Sequence, residues 1–246
     1  MSSGPIAVVA ALAEEMRPLA RRLAGRRRER RHGVSCLRGR LAGRDAVLAV
    51  TGDGAAAAGR GAAAVLDGYG PALLLGLGVA GGLSPGLDAG ELLAADRVLD
   101  GRGATRAASR EWLRRALALD PVIEGLLVSV ERVLDRSEAK RALWRRLGEP
   151  LHAAADLESA AWSAAAAARR VPWLVVRGVS DGAADDLPLP FARMTSRRGG
   201  VSRARVLAHL AVRPHRLPAV LALRRRVAEL ADRLAPFLPR TREAMP

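Results

Sequence analysis

Short apolar runs that end at glycine or at a polar residue limit the folds open to this chain more than any other feature. Residues 6–11 and 72–79 have the length and composition of strands that are buried on both faces, and residues 172–180 predict the last strand. Stretches of helical composition, such as the alanine-rich residues 55–66, lie between the strands. Strands that alternate with helices predict a sheet with helices on both of its faces.

The other elements follow from periodicity and turn residues. Further strands are predicted at residues 34–41, 46–51, 90–99, 125–130 and 153–156, and further helices from Glu14 onward and over residues 137–146 and 158–169. Residues 42–45 predict a hairpin turn, Ser137 is predicted as an N-cap, and the arginine-rich residues 26–31 predict a solvated loop. We expect one domain over residues 1–246, a three-layer α/β/α sandwich around a central mixed, mostly parallel sheet.

The net charge of +15 has two interpretations. One is an anionic partner, such as nucleic acid, phosphate or an acidic membrane surface. The other is compositional bias, because Lys140 is the only lysine among 40 basic residues and the chain has no asparagine or glutamine. Aromatic residues make up only 3%, which argues against stacking on single-stranded nucleic acid, and no helix-turn-helix or zinc motif is present. We therefore predict no nucleic-acid partner.

Cysteine and histidine usage excludes several kinds of site. The single cysteine, Cys36, rules out an intrachain disulfide and a cysteine metal cluster, and the four histidines show no ligand spacing. We predict neither metal nor cofactor. The N-terminus lacks a secretory pattern, and no apolar run reaches the roughly 20 residues of a membrane span. A cytoplasmic protein is expected, with contact at the inner membrane face as an open alternative.

Acidic and glycine-rich segments follow several of the predicted strands. Residues 51–54 and 79–82, Glu158 and residues 180–181 all lie at strand ends, and Glu15 follows the first strand. In open α/β sheets, ligands bind at the carboxyl ends of the strands. These segments therefore predict one binding site.

Glu15, Glu158 and Asp181 suit cleavage of the bond between a purine and a ribose. That reaction builds positive charge on the ribose and negative charge on the base, so it needs an acid, a carboxylate at the ribose hydroxyls and a group that positions the nucleophile. Asp181 follows an apolar strand, whose surroundings we expect to favour the protonated acid. Each acid taken alone also fits a purely structural role, in which it stabilises the start of a helix.

Four segments, in the expected order, resemble the purine nucleoside phosphorylase/5′-methylthioadenosine–S-adenosylhomocysteine nucleosidase superfamily. Residues 6–16 are similar to its first strand and acidic turn, and residues 78–93 to its glycine loop and the following strand. Residues 155–161 resemble its ribose-binding motif, and residues 175–181 its final strand with the catalytic aspartate. The resemblance covers about residues 6–190.

The resemblance implies a role for each acid. Asp181 would protonate N7 of the purine, Glu158 would hold the ribose hydroxyls, and Glu15 falls on the acid that activates water in hydrolytic members. Ser180 would orient Asp181, and Leu157 would pack on the sugar. The full set of expected substrate-binding residues is Leu157, Ser180, Val79, Gly81, Val133, Leu134, Gly52 and Gly54.

The co-substrate, water or phosphate, stays open. Hexameric phosphorolytic members carry an arginine and a serine in the glycine loop, where this chain has Gly76 and Val79. Backbone N–H groups of residues 52–54, helped by Arg60, would still offer a phosphate site, but the residues suit water better. Relatives are homo-oligomers, so a homo-oligomer is expected here.

The C-terminal residues 201–246 predict basic amphipathic helices over 201–212 and 217–238. They either pack on the domain or a second subunit, or rest on anionic lipid. This region resembles that of the hopanoid-associated phosphorylases, which implies release of adenine from adenosylhopane, a lipid-linked nucleoside. A soluble methylthioadenosine/S-adenosylhomocysteine nucleosidase is the alternative, and a non-catalytic nucleoside-binding protein on the same fold is a further one.

Overall fold

The structure is a computed structural model, described here for residues 4–119, 121–194, 212 and 214–234. Strands and helices alternate over most of this length, as the sequence predicts. The elements are β1 (Ile6–Ala10), α1 (Ala13–Arg21), β2 (Ala24–Arg31), β3 (Val34–Leu41), β4 (Arg44–Val50), α2 (Ala55–Tyr69), β5 (Leu73–Gly82), β6 (Leu92–Leu99), β7 (Thr105–Ala107), α3 (Arg110–Leu117), β8 (Val122–Ser129), α4 (Ser137–Arg146), β9 (Ala153–Asp156), α5 (Ser159–Ala168), β10 (Trp173–Asp181), α6 (Phe191–Met194), a 3-10 turn (Pro214–Arg216) and α7 (Leu217–Leu234).

The strands form one mixed sheet in the order β10-β6-β8-β9-β5-β1-β4-β3-β2, with β7 on β6. Because β10 also pairs with β5, the strands β5, β10, β6, β8 and β9 close into a ring. Five of the ten pairings between the described strands are parallel. The mixed sheet is confirmed, although the parallel share is lower than the sequence predicted.

The arginine-rich residues 26–31 are a strand, so the predicted loop is wrong. They belong to β2, which pairs antiparallel with β3 and places Arg28 opposite Leu37. β2 is the edge of the sheet and is exposed along almost its whole length, so arginines extend into water from both faces. Charged side chains on an edge strand also discourage pairing with other chains. Backbone pairing with β3, which charge patterning does not reveal, decides the conformation here.

Helix α4 begins where predicted, but Ser137 is not its N-cap. Arg136 occupies that position, and it makes no capping hydrogen bond through its side chain. The N–H of Ser137 instead donates to the Asp186 carboxylate at 2.7 Å. A carboxylate distant in sequence therefore satisfies the helix start, which local sequence alone does not disclose.

The helices cover two faces of the sheet, as expected for a three-layer sandwich. Neighbouring residues on a strand point to opposite faces. On β10, the Arg177 guanidinium stacks on Trp162 of α5 at 4.7 Å, whereas a Cβ at Gly178 would lie 2.8 Å from Leu230 of α7. Helices α5 and α7 are therefore on opposite sides of β10, with α2 packed against α5 and α1 against α7.

Helix α7 joins the domain through its second half. Leu230 and Ala231 are buried, and the Arg226 guanidinium donates to the Ser180 carbonyl at 2.9 Å. Leu217 and Leu221, in the first half, are 44% and 52% exposed. The helix predicted over residues 201–212 lies outside the described residues, apart from residue 212. Among the residues that the structure describes, no helix combines the length and hydropathy that a membrane span requires.

We expect Gly178→Ala to lower the free energy of unfolding by about 1–3 kcal/mol, because the added methyl group overlaps Leu230. Leu230→Ala removes the Cδ2 and Cγ atoms that the methyl group would overlap but keeps Cβ, which would lie 2.9 Å away, so the double variant should be less destabilised than the sum of the two single variants. Chemical denaturation measures all three. Leu221→Ala on the exposed part of α7 is the control and should change stability by less than about 0.5 kcal/mol; strict additivity of the first pair would show that α7 does not dock here.

Candidate active site

Glu15 connects the first helix to the central strand. It lies in the first turn of α1 and is buried, and its carboxylate accepts hydrogen bonds from the N–H groups of Leu12 at 2.9 Å and Val79 at 3.1 Å. Val79 belongs to β5, which pairs with β1. The carboxylate is therefore held between the carboxyl end of β1 and β5.

Arg177 is the buried cation of the site. Its side chain is wholly inaccessible, and one guanidinium nitrogen contacts Asp156 closely, lies 3.1 Å from Ser159 Oγ and lies 3.4 Å from Glu158 Oε2. The same guanidinium stacks on Trp162. A buried charge is stable only when paired and hydrogen-bonded, so this arginine joins β10 to the end of β9 and the start of α5.

Gly78 makes room for two of these groups at once. A Cβ at this position would overlap the Arg177 guanidinium and would lie 2.6 Å from Glu15 Oε1. Any other residue would separate the arginine from the carboxylate. The glycine thus allows Glu15 and Arg177 to approach across β5.

Glu158 immediately precedes α5, and its carboxylate accepts the Gly54 N–H at 2.9 Å. Burial raises the pKa of Glu158 to about 8; the Arg177 charge opposes the rise, and Asp156 and Asp53 add to it. Burial likewise raises the pKa of Glu15 against the effect of Arg177. Both carboxyls therefore hold a proton more readily than an ordinary glutamate.

Asp181 ends β10 next to an irregularity in the pairing with β5, between Val179 and Asp181. Such a bulge redirects a side chain. The Ser180 hydroxyl donates to Asp181 Oδ1, and Oδ2 contacts the Lys140 ammonium closely. The strand that leads to Asp181 is largely apolar, as predicted, but a buried lysine from α4 also faces this carboxylate.

The predicted residues form two adjoining groups along β5. Hydrogen bonds link Glu15 with Val79 and Glu158 with Gly54, and Arg177 lies between the two acids. The second group contains Asp181, Ser180 and Gly81, where a Cβ would lie 3.1 Å from Asp181 Oδ2. Because Val79 and Gly81 are two residues apart on one strand, the two groups are adjacent.

The structure connects the remaining predicted residues less directly to these two groups. Leu157 is half-buried between Asp156 and Glu158, and Gly52, with φ of 93°, shapes the turn before α2. Val133 is half-buried in the connection from β8 to α4. Leu134 packs on the small apolar cluster that includes Leu83 and Leu143, so its side chain serves packing. The roles assigned to these residues stay predictions.

Two residues of the site, Arg177 and Lys140, were not among the candidates from the sequence. Each carried a signal. Arg177 is the charged residue within the apolar strand β10, and Lys140 is the only lysine of an arginine-rich chain. A buried cation needs an anionic partner, and such a partner becomes visible only when β9, α4 and β10 are assembled.

Arg177→Met should lower the free energy of unfolding at pH 7 by about 3–5 kcal/mol, because it leaves Asp156 and Glu158 buried without a cation. Denaturant titration at pH 7 measures the loss. Arg97→Met is the matched control, since its ion pair with Asp96 is half exposed and should be worth less than about 1 kcal/mol. Equal losses in the two variants would contradict the assigned role of Arg177.

Glu158→Gln should change how stability depends on pH. A carboxyl whose pKa is raised in the folded state contributes stability that is complete below the unfolded value of 4.5 and is lost as the pH rises through about 8. Between pH 6 and 9 the native protein should therefore lose roughly 2 kcal/mol relative to Glu158→Gln. Paired denaturation curves at the two pH values test this, and parallel behaviour of the two proteins would contradict it.

Comparison with known proteins gives a family model and several relatives that resemble this chain. Residues 5–211 match the family model of the phosphorylase superfamily. A 5′-methylthioadenosine/S-adenosylhomocysteine nucleosidase of Geobacillus thermodenitrificans is 25% identical over 226 residues, which cover 84% of this chain and 96% of that protein.

Two solved structures share the fold. The Neisseria meningitidis nucleosidase of the same name, in complex with methylthio-immucillin-A, has a TM-score of 0.76 at 19% identity and covers 98% of this chain and 99% of its own. A futalosine hydrolase mutant of Helicobacter pylori has a TM-score of 0.75 at 17% identity, over 98% and 99% of the two chains. With the family model matched over most of its length, the chain belongs to the phosphorylase superfamily, the group of nucleoside phosphorylases and nucleosidases that its sequence resembles.

Proposed function

We propose that this protein is an enzyme that hydrolyses the N-glycosidic bond of an adenine nucleoside of the 5′-methylthioadenosine/S-adenosylhomocysteine type. The observation that carries the proposal is the arrangement around β5, where Glu15 and Glu158 converge on Arg177 and Asp181 lies beside Gly81. Relatives of that name, one of them with a bound nucleoside analogue, support the choice of substrate.

Each group has a chemical role in this reaction. Asp181, with one oxygen bonded to the Ser180 hydroxyl, delivers a proton to the departing base. Glu158 receives the ribose hydroxyls, and the positive charge that develops on the sugar favours its ionised form over the protonated form that burial favours in the free site. Glu15, whose pKa is raised by burial, accepts the proton of the attacking water molecule.

The charges and hydrogen bonds of the site support water over phosphate as the co-substrate. The N–H of Gly54, which had been a candidate phosphate ligand, already donates to Glu158, and the N–H of Val79 donates to Glu15. Asp53 and Asp156 add negative charge close to Glu158. Arg60 is exposed on α2. A phosphate dianion would meet mostly carboxylates here, and like charges repel strongly where water is scarce.

Adenosylhopane is a second candidate substrate for the same reaction. The observation that favours it is the apolar first half of α7, where Leu217 and Leu221 are exposed, together with Val212, which is 77% exposed. Basic and apolar residues on one helix suit contact with anionic lipid. The named relatives support the soluble thioether nucleosides better.

The deciding experiment measures adenine release from methylthioadenosine, S-adenosylhomocysteine and detergent-dispersed adenosylhopane, each with and without phosphate. We expect release from the thioether nucleosides, with free ribose products and a rate that does not depend on phosphate. Products that carry ribose 1-phosphate would contradict hydrolysis. A preference for adenosylhopane would select the second candidate, and no release from any of the three would favour a binding protein.

Asp181→Asn should lower kcat by at least about 100-fold, because the amide cannot deliver the proton. Asp185→Asn is the matched control, since this exposed carboxylate in the same loop accepts the Gly182 N–H at 2.8 Å. Its kcat should stay close to the native value. Equal losses in the two variants would mean that the loop, and not the acid, had been disturbed.

A further inference from the structure

Lys140 has an unusual position for a lysine. Its side chain is 1% exposed, and it extends from α4 to the segment that follows β10. The ammonium donates to Asp181 Oδ2, to the Gly182 carbonyl at 2.8 Å and to the Asp185 carbonyl at 2.9 Å. One side chain therefore holds the whole segment from Asp181 to Asp185.

The number of acceptors around the Lys140 nitrogen indicates that this side chain is a charged ammonium. Three acceptors surround Nζ, and only the ammonium form has three N–H donors. A buried ammonium is costly without a counter-ion, and Asp181 supplies one once its proton has passed to the base. Asp181 accepts from Ser180 on one oxygen and contacts the Lys140 ammonium through the other. Its direction thus depends on both groups.

We propose that Lys140 is the positioning residue for the acid of this enzyme, an inference that rests on the proposed function. It aims the Asp181 carboxyl at the base, and its charge compensates the carboxylate that remains after the proton has moved. A neighbouring positive charge favours the ionised carboxylate, so Lys140 stabilises the product of proton transfer while keeping the group in place.

Among the described residues, the other groups near Asp181 either make their hydrogen bonds elsewhere or carry no charge. Arg226 of α7 donates to the Ser180 carbonyl at 2.9 Å, and Asp185 of the following loop directs its carboxylate to the Gly182 N–H. The neighbouring strand β5 contributes Gly81, which has no charge. Lys140 is the cation in direct contact with the carboxylate, so its removal should have the largest effect.

The first test compares the steady-state kinetics of the native enzyme with those of Lys140→Met. We expect kcat to fall about 100-fold with little change in KM, since a misplaced catalytic group costs about that much. A rise in KM that accounts for the whole loss, with kcat unchanged, would overturn the proposal.

A second test repeats the substitution in an Asp181→Asn background. If Lys140 acts through Asp181, the double variant should be no slower than Asp181→Asn alone. Equal fold-losses in both backgrounds would overturn the proposal. Arg169→Met is the control, because it removes an ion pair with Asp67 at the far end of α5 and should leave kcat unchanged.

Lys140→Arg keeps the charge but cannot direct three donors from one atom. It should have a lower kcat than the native enzyme with little change in KM, and a native kcat would contradict the proposal. This variant tests the proposal even if Lys140→Met does not fold. Absence of adenine release by the native enzyme would refute the proposed function itself, so the two failures are distinguishable.

Discussion

The buried guanidinium of Arg177 is the constraint on which the rest of the site depends. A cation with no access to water requires anions and hydrogen bonds on several sides, and Asp156, Glu158 and Ser159 supply them from β9 and α5. Its stacking on Trp162 then sets the distance of α5 from the sheet. The positions of Glu158 and of helix α5 thus follow from the need to compensate one charge.

Glycines on β5 leave the space that these side chains occupy. Gly78 leaves space for Arg177 and Glu15, and a Cβ at Gly76 would lie 2.7 Å from the Trp162 ring. Gly76 stands where phosphorolytic relatives carry a phosphate-binding arginine, and in this chain the indole occupies the space beside it. Arg177 and Asp181 both belong to β10, which pairs with β5, so the Glu15–Arg177–Glu158 group and the Asp181–Lys140 pair lie next to each other along these two strands.

Different charged partners distinguish the acids. Glu15 and Glu158 share one guanidinium with Asp156, and burial raises the pKa of both glutamates. Asp181 instead contacts Lys140 and the Ser180 hydroxyl. The elements that pack beside each carboxyl therefore decide which partners it meets.

Apolar periodicity, glycine turns and acidic strand ends are local signals, so the sequence predicts the strand–helix alternation, the hairpin of β3 and β4 and the family, and it singles out the three acids as candidates. It does not reveal that residues 26–31 form an edge strand, that Asp186 satisfies the start of α4, or that Lys140 meets Asp181, 41 residues away. Those outcomes depend on which segments meet in space. Charge compensation between buried groups is a property of the assembled sheet and its helices, so no local signal discloses it.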